Sequence, residues 1–223
     1  MANATSTQLQ QLYVAYFGRP ADPTGLNGWL AEGTSAADFA ATMYLQPEFQ
    51  DANANKSVES QVNQLYLNLF GRNADVDGLQ YWSNEISAGN IELAQLGVYL
   101  INPDATSDAD QAVLDNKTAA AIAYTEEINK DVEDILAYQP TSTDPWDGGD
   151  AIAAGKAFLS TVDADHAYSD AALEASIGTF DTAGNRAAAE AAAAAEVAAA
   201  EAAAAAEVAA SEAAAAAEVA AAE

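Results

Sequence analysis

Residues Leu12 to Trp29 read LYVAYFGRPADPTGLNGW, and residues Leu65 to Trp82 read LYLNLFGRNADVDGLQYW. Tyr13, Phe17, Gly18, Arg19, Asp22, Gly25, Leu26 and Trp29 return as Tyr66, Phe70, Gly71, Arg72, Asp75, Gly78, Leu79 and Trp82, each 53 positions on. A constant offset over so many identities marks an internal duplication of one supersecondary unit. One copy of such a unit cannot bury its own apolar face, so the two are expected to pack together. Working outward from the first copy, Leu9, Leu12, Tyr13, Tyr16 and Phe17 follow the i, i+3, i+4, i+7, i+8 spacing of an amphipathic helix, with Thr5 or Ser6 at its start. Gly18 suits the left-handed cap that closes it, and Asp22-Pro23 is an N-cap followed by proline at the first helical position. The second helix then carries Leu26, Trp29 and Leu30 to Gly33. Ser35 and Asp38 resemble a capping box for a third helix, which runs through Phe39 and Met43 to a break at Leu45-Gln46-Pro47.

The second copy predicts the same plan. Val62, Leu65, Tyr66, Leu69 and Phe70 form the stripe, Asp75 caps, Leu79, Trp82 and Ile86 follow, and Gly89 precedes a helix over about Ile91 to Ile101. Beyond Pro103, Ser107 and Asp110 open a helical stretch through Val113, Leu114, Ala120, Ile122 and Tyr124, with a break before Ile135 and Leu136. Pro140 to Asp150 is a loop by composition, and helices resume over Ala151 to Val162 and Asp170 to Phe180. No stretch alternates β-branched residues. The fold class is therefore all-α, a compact multi-helix domain built on two tandem three-helix repeats and followed by a long alanine-rich helix. The expected divisions are 1–53, 54–104, an additional helical region with acidic loops at 105–185, and the alanine-rich segment 186–223.

That last segment repeats AAAEAAAAAEV from Ala187, with Ser211 as the one substitution in the third copy, and the chain stops inside a fourth. We expect these residues to open into a longer polypeptide. Alanine is the best helix former, so the segment predicts a rod of roughly 55 Å at about 1.5 Å per residue. An eleven-residue period keeps Val197, Val208 and Val219 in one stripe and favours a slight right-handed supercoil. Such a rod suits a spacer, or an alanine face that packs against neighbouring subunits.

Lys and Arg number 7 against 34 Asp and Glu, a net charge of -27, with a pI near 4.1. Attraction to nucleic acid or to an anionic membrane is excluded on charge, and cations or neutral partners are favoured. The absence of Cys removes disulfides, thiolate zinc sites and thiol catalysis. Met1 to Thr7 has neither a basic region nor an apolar run, so no Sec-type signal is read there, and no run suits a membrane span. The reading is a soluble protein, cytoplasmic or exported by another route.

The duplicated pattern of Leu-Tyr, aromatic, Gly-Arg, Asp, Gly-Leu and Trp resembles a small helical domain of unknown function. That domain recurs in bacterial surface-layer (S-layer) proteins and in calcium-binding RTX-type proteins exported by type I secretion. The resemblance covers residues 9 to 101. Asn116-Lys117 and Ala154 to Val162 are similar to stretches that follow this domain in S-layer proteins. The resemblance implies an extracellular, non-enzymatic cell-surface protein. Its helical part would hold a self-assembling lattice to lipopolysaccharide, and a calcium-rich β region would form the sheet. That β region and a C-terminal secretion signal are not in these residues, and the alanine-rich segment is outside the family pattern.

Each motif residue also has a structural reading. Arg19 and Arg72 suit anchoring to nearby acids or to orphan carbonyls at the end of the first helix of each copy, and Trp29 and Trp82 suit a core. Asn73, Asp75, Asp77 and Gly78 match the first half of an EF-hand loop, but Asn84 stands where Glu is needed, so N-capping explains Asp75 more simply. Better calcium candidates are Asp144, Asp147 and Asp150 around Trp146, and Asp163, Asp165 and Asp170 around His166, where carboxylates gather in loops. Trp146 is the candidate for stacking on a sugar face. A solvated acidic loop is the plainer alternative.

Catalysis finds little support. His166 is the single histidine, no G-x-S-x-G turn accompanies it, and Gly149 to Lys156 fails the Walker pattern with Ala157 at the magnesium position. No carboxylate pair stands out for glycoside hydrolysis. The expected function is a non-enzymatic S-layer-like structural protein, self-assembling and anchored to surface polysaccharide, with calcium as a bridge. The alternatives are an extracellular filament or adhesin subunit with the alanine-rich helix as spacer, and an ice-binding alanine helix, against which the lack of a regular Thr row argues.

Overall fold

A computed structural model describes residues 2–139, 150–180 and, in the alanine-rich segment, 191, 194, 195 and 197–210. The fold is all-α, with no strand among the described residues. In chain order the helices are α1 Ser6–Phe17, α2 Pro23–Glu32, α3 Ala36–Leu45, α4 Pro47–Asn53, α5 Val58–Phe70, α6 Val76–Ser87, α7 Leu96–Leu100, α8 Asp108–Ile128, α9 Val132–Ala137, α10 Asp150–Ser160 and α11 Asp170–Ile177.

Local chemistry sets most boundaries. Thr5 Oγ1 accepts the Gln8 N–H at 3.1 Å while Gln8 Oε1 takes the Thr5 N–H at 3.0 Å, a complete capping box for α1. Asp22 and Asp75 accept from Gly25 and Gly78 at 2.6 and 2.8 Å, and so start α2 and α6 alike. Ser35, Ser57 and Ser107 cap α3, α5 and α8. Gly18 and Gly71 end α1 and α5 in the left-handed region, at φ 66° and 67°, where a Cβ is costly.

The first helix departs from the expected amphipathic stripe. From Leu9 to Phe17 every residue of α1 is buried, Gln10 and Gln11 included. The reason is tertiary: α3 and α5 cover α1 from the two copies, and α8 covers it from the later segment. Gln10 is satisfied on the way in, donating to Thr125 Oγ1 at 2.7 Å and accepting the Ala21 N–H at 3.1 Å. Most of the buried apolar side chains from Leu9 to Phe180 form one continuous cluster.

Three expectations need correction. Pro47 is not only a break; it opens the additional helix α4, because its fixed φ and missing N–H suit a first helical position and Glu48 follows in the first turn. The helix expected over Ile91 to Ile101 is a 3-10 turn at Leu93–Gln95 and then the short α7. There the Gly97 N–H goes to the Tyr16 hydroxyl at 3.1 Å rather than into a longer helix. Trp29 and Trp82 are half-buried against the flank of the core, not inside it. In the alanine-rich segment, residues 197–210 are helical and exposed, with Val197 and Val208 outward.

Two glycines give opposite predictions. A Cβ on Gly97 would lie 2.8 Å from the Tyr16 ring, whereas one on Gly28 meets nothing within 4 Å. Gly97→Ala is expected to cost about 1–3 kcal/mol, and Gly28→Ala to add about 0.5–1 kcal/mol through helix propensity. Urea unfolding midpoints should move in opposite directions; a shift of the same sign would contradict the packing described.

Candidate functional site

The duplicated motif converges on its arginines. In the first copy Arg19 is 1% exposed, the largest fully buried side chain among the described residues. Its Nη2 and Nε donate to Glu48 Oε2 and Oε1 at 2.8 and 3.0 Å, and Nη1 donates to Pro20 O at 3.1 Å. Rings of Tyr13, Phe17 and Tyr138 lie 5.4, 5.2 and 5.9 Å from the guanidinium carbon. Burial alone would lower the Arg19 guanidinium; the Glu48 carboxylate more than reverses this and holds it above its usual range. Tyr138 is pushed up by burial, and its hydroxyl donates to Pro20 O at 3.1 Å.

The second copy keeps the arginine and changes its partner. Ile101 stands 53 positions after Glu48, so no carboxylate is available there. Arg72 turns instead to Asp110 at the start of α8, with two hydrogen bonds of 2.7 Å. Its side chain is 41% exposed and sits 5.5 Å from the Tyr66 ring. Nη1 still donates to the next carbonyl, Asn73 O, as Arg19 does to Pro20 O. The anchoring role is therefore as expected; Arg72 also meets a nearby acid, Asp75 at 3.7 Å, while the hydrogen-bonded acids come from 29 and 38 residues away. The carbonyls at the end of α5 go to Lys117, whose Nζ donates to Asn68 O at 2.6 Å.

With the charged motif residues engaged in the fold, an outward aromatic strip remains on α6 and α7. Tyr81 and Trp82 rings lie 4.9 Å apart and Trp82 and Tyr99 rings 5.8 Å apart. Tyr81 is 57% and Tyr99 43% exposed, while the Trp82 indole N–H is held by the Tyr66 hydroxyl at 3.1 Å. The first copy has Gly28 and Gln46 where the second has Tyr81 and Tyr99. The helical unit thus forms without these rings. The signal was open to sequence reading through that comparison, though the motif identities draw attention elsewhere.

Asp144, Trp146 and Asp147 lie outside the described residues, as does the side chain of Asp150, which begins α10. Asp163 Oδ1 accepts the N–H groups of Asp165 and His166 at 2.9 and 2.8 Å and faces His166 Nδ1 at 2.9 Å. The His166 hydrogen bond holds the Asp163 carboxyl below its usual range. Asp170 lies in the first turn of α11, capped by Ser169, and all three aspartates are exposed. Among the described residues no three acidic or histidine side chains converge as a metal-holding group. Gly25 and Gly78 sit against Tyr13 and Tyr66, where an added Cβ would approach the hydroxyls at 2.8 and 3.2 Å.

Residues 40–98 match the family model of a domain of unknown function (DUF4214). The matched range runs from within α3 to within α7, so it holds the second motif whole and the end of the first copy. No curated protein and no solved structure matches the chain. Among the described residues no helix is long and apolar enough to cross a membrane.

The two arginines predict unequal losses. Arg19→Met leaves the Glu48 charge buried without its main partner, an expected cost of about 3–5 kcal/mol, whereas Arg72→Met at a part-exposed pair costs about 1 kcal/mol or less. Equal losses in urea unfolding would refute the assignment. Arg72 lowers the Asp110 carboxyl and the Gly78 N–H lowers that of Asp75. Both contributions are present above the unfolded carboxylate value near 4 and are lost as pH falls through the lower folded values. The unfolding midpoint should drop below pH about 4, and less steeply in Asp110→Asn.

Proposed function

We propose that this chain is a non-enzymatic structural protein of the bacterial cell surface, S-layer-like, whose helical body mediates assembly and anchoring to surface glycan such as lipopolysaccharide. The aromatic strip of Tyr81, Trp82 and Tyr99 carries the reading. Two exposed tyrosine rings flanking a half-buried indole suit the apolar faces of sugar units, and the tyrosine hydroxyls suit sugar oxygens at the edge. The first copy has Gly28 and Gln46 at the places of two of these rings. The motif residues themselves, engaged with Glu48 and Asp110, serve as scaffold. Export by a type I route fits this reading.

In this scheme each glycan contact is weak, and assembly of many copies multiplies weak contacts into firm attachment. Calcium bridges the acidic segments Asp144 to Asp150 and Asp163 to Asp170 to hydroxylated or anionic glycan, which is how a chain of charge -27 approaches a negatively charged surface. An extracellular filament or adhesin subunit is the second reading. It is favoured by the exposed helix at 197–210, on which Val197 and Val208 recur one eleven-residue repeat apart.

Pelleting of the protein with lipopolysaccharide-bearing cells tests the proposal. Tyr81→Ala/Tyr99→Ala is expected to weaken cell binding about tenfold or more with an unchanged helical circular dichroism spectrum, and a calcium chelator to release bound protein where added salt does not. Undiminished binding by the double variant would overturn the role of the strip. Electron microscopy separates sheets from filaments.

A further inference from the structure

A cavity of about 480 Å³ runs against the charge of the whole chain. It opens between the end of α1, α4, α5, α8 and α10, and Lys56, Lys117 and Lys156 line it, three of the four lysines in the sequence. Glu48 is the one acid among the residues that line it, and Arg19 already holds that carboxylate. The Lys156 ammonium lies 3.4 Å from Glu48 Oε1 and is itself 39% exposed. With Glu48 answered by Arg19, the wall keeps an excess of positive charge. Charges that do not line the cavity and act through solvent are screened within about 8 Å at physiological salt.

Lys117 has a structural duty that does not exhaust it. Its Nζ donates to Asn68 O at 2.6 Å and Leu67 O at 3.4 Å, capping the end of α5. An ammonium has three N–H donors, and no carboxylate pairs with this one among the described residues. Lys117 is 4% exposed, and burial alone lowers its pKa to about 8, with no compensating anion. A second observation points the same way. Asn53, 8% exposed and also at the cavity wall, donates to Phe49 O at 2.8 Å while its Oδ1 has no hydrogen-bond partner. A buried acceptor without a donor is uncommon in a folded protein.

We propose that this cavity binds a small polyhydroxylated anion, an acidic sugar whose carboxylate or phosphate sits among the three ammonium groups and whose hydroxyl donates to Asn53. The site is separate from the aromatic strip, which belongs to α6 and α7, and does not depend on it. The lysines supply the affinity for the anionic group, and the neutral acceptor distinguishes a hydroxylated ligand from a bare anion.

Calorimetric titration of the full chain with glucuronate, glucose 6-phosphate, inorganic phosphate and glucose tests this. Saturable binding of glucuronate or glucose 6-phosphate, at least tenfold tighter than glucose, is expected, and the tighter of the two identifies the anionic group as carboxylate or phosphate. Lys56→Gln, on an exposed side chain, should weaken binding about tenfold without moving the thermal midpoint, and Lys156→Gln should weaken it about tenfold with a lower midpoint, because its ion pair with buried Glu48 is lost. Lys117→Met should abolish it, and the other two variants keep the test valid if that one fails to fold. Equal binding of glucose, affinity unchanged in both glutamine variants, or no saturable binding of either acidic sugar would overturn the site. Inorganic phosphate binding as tightly as glucose 6-phosphate would overturn the role of Asn53.

Discussion

Burying a guanidinium together with a carboxylate is the constraint around which this molecule is arranged. Removing two charges from water costs several kcal/mol per ion unless geometry and hydrogen bonding are nearly complete. Arg19 and Glu48 meet that condition through paired hydrogen bonds, a further bond to Pro20 O and three surrounding aromatic rings. Meeting it fixes α4 against the loop between α1 and α2, and it brings Tyr138 in from the segment after α9. The second copy shows what happens without the acid. With Ile101 in the place of Glu48, Arg72 stays at the surface and takes Asp110 from α8, so the second loop is tied to the later segment by a part-exposed pair.

The features legible in the sequence are those decided within four residues. Thr5, Asp22, Ser35 and Asp75 read as caps because a short polar side chain facing an N–H three positions on is a local arrangement. Gly18 and Gly71 read as terminators because φ near 66° is a property of one residue. The apolar spacing of α1 and α5 placed both helices. What could not be read was anything decided across the fold. The acids hydrogen-bonded to Arg19 and Arg72 come from 29 and 38 residues away, and nothing near Arg19 singles out Glu48. The all-round burial of α1 depends on α8, and the half-burial of Trp29 and Trp82 depends on how much of each flank the neighbours leave open. Pro47 was ambiguous for a different reason, since a proline that ends one helix is also well suited to begin the next.

Basic side chains are few, and their placement is informative. None stands in the last turn of α1 to α11, where cations ordinarily meet helix carbonyls. Left-handed glycines close α1, α2 and α5 instead, and at α5 Lys117 arrives from another helix to complete the cap. Two of the cationic groups, Arg19 and Lys117, are thereby buried at junctions between helices.

The loop between α1 and α2 has a further consequence for how the chain reaches its native state. Its carbonyls at Pro20 and Ala21 are satisfied by Tyr138 and Thr125, at sequence separations of 118 and 104. Beyond the local bond from Arg19 to Pro20 O, the α1–α2 junction therefore completes its hydrogen bonding only when residues 125 and 138 are available. Helices as such form early and locally, but contacts at such separations must first overcome the entropy of closing a long loop. The signature loop of the first copy, though near the start of the polypeptide, thus owes part of its native hydrogen bonding to residues more than a hundred positions on.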